Sequence, residues 1–469
     1  MKKIVLSIAG VMAVAAFAPE ASALPVFARQ TGMACSACHF QHFPLLNGFG
    51  RAFKEGGFTM MGAEAKVEGD NLSIPATLNM AVLTSMGYIK SNQTADPSGM
   101  TKNYGNGVWG VPGVGAGGSG EASLFFGGHV SDFAGFLAEL TLTGGAGTSG
   151  AVTSLGSAKL PMLYDMGSAK IGVVPFATDG QGASYGMEVL NTGANAIHSI
   201  TNTVGPNGEF INAVSAQQYI GTGSNATGVA FVANSDMGLI NITKFQQTGM
   251  SGGGYASLGS TYARVLGTFD VAGWDAGVGI QNWSGASLTT AGTGLNMCGA
   301  AGASGPCAAL PGAPTTAVMQ QTKATAVDGQ MQGTLGGMPV GFYASYARAP
   351  YEAGALGNNN SFGLGNATMT RSSFNVDAEL GVIPEVATIG AAIRRGKSGV
   401  NDGAGNNESD NAIYLTATYK LQQNMLARLS YVKQSGSYWD AAASGVAGTP
   451  SNAAVLGSQT TMVNMYVLF

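Results

Sequence analysis

The sequence predicts a mainly β protein: a transmembrane antiparallel β-barrel of about sixteen strands with a small α-helical domain at its N-terminus. Apolar and polar residues alternate along many short segments, as in strands with one face on lipid and one on a polar interior. Short and long connections alternate between these segments, as they do in membrane barrels. Charged residues make up only 10% of the 469 residues, against roughly 25% in soluble domains. This deficit disfavours a soluble enzyme, and a net charge of −4 disfavours nucleic acid as a partner.

Residues 1–23 form a predicted secretory signal peptide. Lys2 and Lys3 precede an apolar run that ends at Pro19, and the A-x-A cleavage site is Ala21-Ser22-Ala23. A membrane anchor is the alternative, but the run of about 15 residues is shorter than the roughly 20 that a spanning helix needs. We therefore expect an exported protein in a compartment that permits disulfides.

The C-x-x-C-H motif Cys35-Ser36-Ala37-Cys38-His39 predicts covalent attachment of one haem c. Its two thiols, one helical turn apart, suit the two haem vinyl groups, and the adjacent His39 suits the proximal side of the iron. A chance cluster or a C-x-x-C disulfide is the alternative. With only 4 Cys and 4 His in the chain, the scarcity of both residue types disfavours chance.

The distal iron ligand is left open by the sequence. Met60 is the first candidate and Met61 the second, because both follow the motif after a suitable spacer and methionine is a known haem ligand. His42 is a candidate haem contact or an alternative distal ligand, although three residues after His39 it cannot easily reach the opposite face. An open site is the remaining alternative, and Met33 lies too close to the thioether positions.

Residues 24–70 form the predicted monohaem domain. A short helix is expected to begin at Pro44 and to end at Gly56-Gly57, with an apolar stripe that suits a haem face. This unit is too small to bury a core alone, so haem or a second domain must complete it. Three nearby cations are candidates for pairing with haem propionates, or else belong to a solvated face: Arg29, Arg51 and Lys54.

Residues 71–469 form the predicted barrel domain. The alternation is clearest after Arg371, where Phe374 and Val376 point one way and Asn375 and Asp377 the other. The terminal Phe469, on an alternating strand, resembles the assembly signal of outer-membrane proteins. A soluble β-sandwich or β-helix is the alternative, but neither accounts for the alternating connection lengths and the terminal Phe together. The sixteen predicted strands are 73–88, 121–130, 133–143, 156–164, 168–177, 226–233, 238–246, 259–271, 274–283, 322–335, 338–348, 370–382, 386–397, 411–421, 425–434 and 459–469.

Long Gly/Ser/Asn/Thr-rich stretches, among them 179–225 and 284–320, are predicted to be outer loops. Cys298 and Cys307 lie nine residues apart in one of them, which predicts a loop disulfide, with metal binding as the weaker alternative.

Four carboxylates are predicted to face the lumen, where they would suit a hard cation such as Fe(II): Glu139, Asp328, Asp377 and Glu379. The favoured alternative is that they form ion pairs across the lumen. The predicted partners are Arg371, Arg394, Arg395, Lys420 and Arg428.

The N-terminal residues resemble a known family, the fused monohaem cytochrome–porins in the outer membrane of iron-oxidising bacteria. The resemblance is carried by 27–32, by the motif at 35–39, and by 40–44 with 49–54; over the barrel it is architectural. It implies an outer-membrane electron conduit, surrounded by lipid, that oxidises extracellular Fe(II) and passes electrons to a periplasmic c-type cytochrome. Residue by residue, Cys35 and Cys38 would attach haem and His39 would ligate its iron.

Two other functions stay open at this point. The conduit could run outward to an external acceptor, or the chain could be a passive solute porin whose haem domain is a plug. Only the Fe(II)-oxidising conduit implies an enzyme, of the iron:cytochrome c oxidoreductase type. The haem domain is expected on the periplasmic or the lumen side of the barrel.

Overall fold

The computed structural model describes residues 25–76, 78–94, 103–112, 120–144, 151–178, 181–193, 215–247, 258–288, 319–354, 357–441 and 451–469. The predicted signal peptide and the predicted disulfide partners Cys298 and Cys307 lie outside these residues. The signal peptide and this disulfide therefore stay predictions.

A closed antiparallel barrel of sixteen wall strands dominates the described chain, as the sequence predicts. The barrel closes where the last strand pairs with the first, for example Leu468 with Leu83. Three wall strands are interrupted and consist of the segment pairs β4/β5, β7/β8 and β14/β15. The strand bounds are β3 Met80–Ser91, β4 Val108–Gly110, β5 Ala122–Ser131, β6 Ala134–Gly144, β7 Ala151–Lys159, β8 Met162–Asp165, β9 Lys170–Thr178, β10 Ala226–Ser235, β11 Gly238–Gln247, β12 Ser260–Val271, β13 Trp274–Leu288, β14 Met319–Gln321, β15 Ala324–Leu335, β16 Met338–Ala349, β19 Arg371–Ile383, β20 Ala387–Asn401, β21 Asn407–Gln422, β22 Met425–Ser435 and β23 Gln459–Leu468.

Smaller elements lie before the barrel and in its connections. A separate hairpin is formed by β1 Lys66–Gly69 and β2 Leu72–Pro75, and a second by β17 Ala353–Gly354 and β18 Gly357–Asn358. The helices are α1 Pro25–Thr31, a 3-10 turn Cys35–Ala37, α2 Gly48–Glu55, α3 Asn103–Asn106, a 3-10 turn Ala183–Met187, α4 Ala216–Tyr219, α5 Ser437–Asp440 and a π turn Ala453–Gly457. No helix among the described residues is long and apolar enough to cross a bilayer.

The two faces of the wall differ in polarity. Along β12, Val265 is 60% exposed on the outside whereas Arg264 is 1% exposed on the inside. The same alternation holds in β19, where Phe374 is exposed and Asn375 is buried. An apolar exterior around a polar interior is the arrangement of barrels that span a membrane with their strands.

Tight turns close one end of the barrel. The two residues between β12 and β13, Ala272 and Gly273, both have left-handed backbone, with φ of 53° and 81°. Gly336 and Gly337 repeat this between β15 and β16, with φ of 59° and 82°. Two such residues form the hairpin turn whose twist matches that of the flanking strands, which keeps these connections short.

The structure corrects two predicted elements. The first wall strand is not 73–88 but Met80–Ser91, because the chain reverses at Asn71 (φ 60°) and Ile74 pairs with Val67 in the separate hairpin. The helix predicted from Pro44 begins instead at Gly48. The reason is a local N-cap, in which the Asn47 side chain accepts a hydrogen bond from the Gly50 N–H.

Candidate functional site

Residues 25–62, here called the motif segment, lie inside the mouth of the barrel at its tight-turn end. Arg51 binds Asp275 of β13 through two hydrogen bonds of 2.6 Å, and His42 binds Glu379 of β19 at 2.7 Å. Asn234 of β10 donates to the backbone of α2. These strands stand at separate positions around the wall. One segment can touch all of them only from within the lumen.

The C-x-x-C-H motif folds as one tight turn. The backbone N–H groups of Cys38 and His39 both donate to the Cys35 carbonyl, at 3.1 and 2.9 Å. This turn places the two thiols on one side with His39 directly after them. Helix α2 packs against the turn through Gly50, where an added Cβ would lie 2.1 Å from the Cys38 carbonyl oxygen. Only glycine permits this approach.

The imidazole of His39 is held by the chain that follows it. Its Nδ1 lies 3.1 Å from the Leu45 carbonyl oxygen, and Phe40 N–H donates to the same carbonyl at 2.9 Å. A proton on Nδ1 satisfies this contact and leaves Nε2 as the unprotonated nitrogen, which is the form that ligates a metal. Burial lowers the pKa of His39 to about 4, so the ring is neutral at physiological pH.

A cavity with an open mouth lies between the motif segment and the barrel wall. Cys35, Cys38 and His39 all line it. Two thiols at attachment spacing, a neutral imidazole and largely apolar walls together fit a covalent haem. The apolar lining includes Phe27, Phe43, Pro44, Leu46, Phe53, Phe58, Phe125 and Leu137.

The wall strands and a barrel loop supply the polar part of this cavity. Glu139 of β6, and Ser157 and Lys159 of β7, line it from the wall, and Lys54 lines it from α2. Tyr185 completes it from the connection between β9 and β10. Lys54 and Glu139 are candidates from the sequence whereas Lys159 is not, because a strand pattern alone does not tell which lumen residue meets the motif segment.

The connection between β9 and β10 turns into the lumen, which corrects its prediction as an outer loop. Its described parts, 181–193 and 215–225, are called here the inner loop. Nearly every side chain in 181–193 is buried, including apolar ones such as Tyr185, Met187 and Leu190. The apolar side chains of this loop gain more from the packed lumen than from water, which favours its inward position.

The inner loop is bonded to both the wall and the motif segment. Asn191 exchanges two hydrogen bonds of 2.8 Å with the Leu46 backbone, and its own N–H donates to Gln330 of β15 at 2.8 Å. Thr192 donates to Asp328 of the same strand. The motif segment therefore sits between the tight-turn end of the barrel and the inner loop.

The structure places the distal-ligand candidates outside the described cavity lining. His42 has a partner on each ring nitrogen, the Phe43 carbonyl at Nδ1 and Glu379 at Nε2, both at 2.7 Å. Met60 is fixed through its carbonyl oxygen, which accepts from Gln30 at 2.7 Å. Met61 is likewise not among the lining residues, whereas Met33 is.

Two of the three cations predicted for haem propionates have other partners. Arg51 is taken by Asp275. Arg29 donates to the Met80 carbonyl at the start of the barrel. Lys54 alone of the three faces the cavity.

The predicted lumen carboxylates do face inward, but their predicted partners are wrong. Asp328 pairs with Arg264 at 2.6 Å, and Glu379 pairs with His42. Arg394 pairs with Asp410 instead, at 2.5 Å. Of the other predicted partners, Arg371, Lys420 and Arg428 are buried inside whereas Arg395 points outward. The pairs depend on strand register across a closed barrel, which no local pattern specifies. No group of three or more metal-ligating side chains occurs among the described residues.

No family model matches the chain, and no curated protein matches its sequence. Solved porins resemble its fold at low sequence identity. OmpT of Vibrio cholerae, an outer membrane protein, matches with a TM-score of 0.44, 11% identity, and coverage of 86% of this chain and 100% of its own. The anion-selective porin from Comamonas acidovorans matches with a TM-score of 0.45 and 12% identity, and the match covers 84% of this chain and 99% of the porin. OmpF of Salmonella typhi, in complex with daunomycin, matches with a TM-score of 0.46 and 12% identity, and the match covers 86% of this chain and 100% of OmpF.

Proposed function

We propose that this chain is an outer-membrane barrel that carries one covalent haem c in its lumen and conducts electrons across the membrane. The observation that supports this is the cavity in which Cys35, Cys38 and His39 face apolar residues of both the motif segment and the wall. An apolar exterior supports a bilayer as the surroundings of the barrel. Haem c, when bound, supplies a one-electron Fe(II)/Fe(III) couple.

The residues of this chain would do three things for that couple. Cys35 and Cys38 hold the porphyrin by covalent bonds, so that it stays in the lumen. His39, neutral and oriented through the Leu45 carbonyl, supplies the proximal nitrogen. The aromatic walls exclude water from the iron, and the position within the mouth lets a periplasmic partner approach from the tight-turn side.

We further propose Fe(II) outside the cell as the electron donor and a periplasmic c-type cytochrome as the acceptor. This part rests on the family resemblance of residues 27–61. Asp328 and Glu379 are held in ion pairs, and the described residues contain no cluster of three or more metal-ligating side chains. Electron transfer from Fe(II) to the haem would need no dedicated iron site. The opposite direction, outward to an external acceptor, uses the same residues.

The closed barrel by itself also favours a second function, a passive solute porin whose haem-bearing segment is a plug. Sixteen strands enclose a lumen wide enough for an aqueous channel, and the inner wall is polar. Passage would then run past the inner loop and the motif segment.

Vesicles loaded with a reduced redox dye separate these functions. A conduit oxidises the trapped dye when an oxidant is added outside, and no dye leaks. A porin lets sugars cross in a swelling assay and transfers no electrons. A redox titration of the purified protein assigns the direction, because a potential well below that of the Fe(II)/Fe(III) pair under growth conditions would contradict iron oxidation.

A further inference from the structure

Two buried lysines face the same cavity from different parts of the molecule. Lys159 lies at the end of β7 and is 3% exposed; Lys54 lies in α2 and is 9% exposed. Each is close enough to the other for their charges to repel. Among the described residues, none of the ion pairs includes either lysine. Two ammonium groups in one apolar cavity oppose folding unless an anion offsets them.

The carboxylates that face this pair are few. Glu188 of the inner loop lies within electrostatic reach of both lysines, and Glu55 within reach of Lys54. Glu139 also lines the cavity, where it accepts a hydrogen bond of 3.0 Å from Ser123. Burial lowers the pKa of Lys54, and the charges of Glu188 and Glu55 oppose that shift.

Each lysine is fixed in place by its own surroundings. The ammonium of Lys159 donates to the Tyr185 carbonyl at 2.9 Å and lies 3.9 Å from the centre of the Tyr185 ring. Lys54 follows Gly50 by four residues and therefore shares its helix face. Because Gly50 packs directly on the Cys38 carbonyl, Lys54 is held about one helical turn from the attachment motif.

From this geometry we propose that Lys54 and Lys159 form the binding site for the haem carboxylates, the propionates. The inference rests on the proposed haem and adds its anion-binding residues, one from the motif segment and one from the barrel. Two carboxylates on a largely apolar ligand match two cations in a cavity whose walls are largely apolar. The barrel wall thereby becomes part of the cofactor site and not only its container.

The test uses full-length protein in detergent with the single variants Lys54→Met and Lys159→Met. Lys244→Met is the matched control, since its ammonium bonds Thr261 on a neighbouring strand outside the cavity lining. Covalent haem is counted by mass and the reduction potential is titrated optically from pH 5 to 8. A heat-dependent shift in electrophoretic mobility confirms that each barrel is folded.

Both cavity variants should show a lower potential than the wild type, because loss of a nearby positive charge favours the ferric state. Their potential should also fall as pH rises, since a propionate without its lysine retains a proton up to higher pH and releases it on oxidation. Lys244→Met should show neither change. Lys159→Arg should keep the wild-type reduction potential across the pH range.

Potentials that stay at the wild-type value at every pH, in both cavity variants with haem bound, would overturn this inference and leave the proposed function intact. A second outcome is that the wild type carries haem and the cavity variants show the predicted shifts, but vesicles show no electron transfer. This outcome would overturn the conduit and support the lysine site. Wild-type protein without covalent haem would overturn both.

Discussion

Asn191 and Leu46 are joined by two reciprocal hydrogen bonds of 2.8 Å, although 145 residues separate them in the chain. The side-chain amide of Asn191 receives the Leu46 N–H and donates to the Leu46 carbonyl, as a neighbouring strand would. Leu46 also pairs with His39 in an isolated β-bridge. The inner loop therefore supports the backbone that orients His39.

Asn191→Leu should loosen the motif segment without opening the barrel. Two hydrogen bonds at about 1 kcal/mol each give about a 30-fold rise in local opening. The rate of limited proteolysis within residues 25–62 measures this opening. Asn241→Leu, at a buried position of β11, is the control and should leave that rate near the wild-type value.

Gly50→Ala should weaken the packing of α2 on the motif by about 1–3 kcal/mol, because the new Cβ would overlap the Cys38 carbonyl. The expected result is less covalent haem per barrel, measured by haem staining against total protein. Gly267→Ala has open space around its Cβ and should retain full staining. Equal staining in the two variants would contradict the packing argument.

Docking of the motif segment should depend on pH through Glu55. Burial raises the pKa of this carboxyl to about 7, and Asp236 and Asp275 add to the shift. The folded state then binds more protons than the unfolded state between about pH 4.5 and 7, so stability falls as pH rises through this window. Urea titrations monitored by proteolysis of the segment should show this slope in the wild type, and Glu55→Gln should flatten it.

Cys38→Ser should remove most or all of the covalent haem and abolish electron transfer in vesicles. The barrel should still assemble, because the closing pairs of β3 with β23 involve no motif residue. Haem staining and heat-modified mobility report the two properties separately. Loss of the protein from the outer-membrane fraction would mean that the haem unit is needed for barrel folding.

Asp328→Asn should destabilise the barrel, because it leaves Arg264 buried without its counter-charge, at a cost of about 3–5 kcal/mol. The same change weakens the hydrogen bond from Thr192 of the inner loop, because an amide oxygen is a weaker acceptor than a carboxylate oxygen. The midpoint of urea unfolding by electrophoretic mobility should therefore drop. Asp132→Asn, in an exposed turn, serves as the reference and should keep the wild-type midpoint.

The wall strands could be predicted because each carries its own signal, as in β19 and β21, where alternate residues face lipid. The attachment motif is likewise local. The partners inside the lumen were not predictable, since Lys159, Asn191 and Arg264 meet the site only after sixteen strands fix their register. The first strand was misplaced because Leu72–Pro75 alternates as well as a wall strand does, and only the reversal at Asn71 assigns it to a hairpin.

The contact of α1 with the barrel bears on the order of assembly. Val26 is fully buried in a cluster with Leu83 of the first wall strand, Leu468 of the last and Phe125 of β5. The seam between the two ends of the barrel thus has the motif segment as part of its inner packing. Since the segment precedes the first wall strand in the chain and packs on the inside of the seam, we expect the wall to close around it. Attachment of the proposed haem, which needs open access to both thiols, would then belong before the seam is sealed.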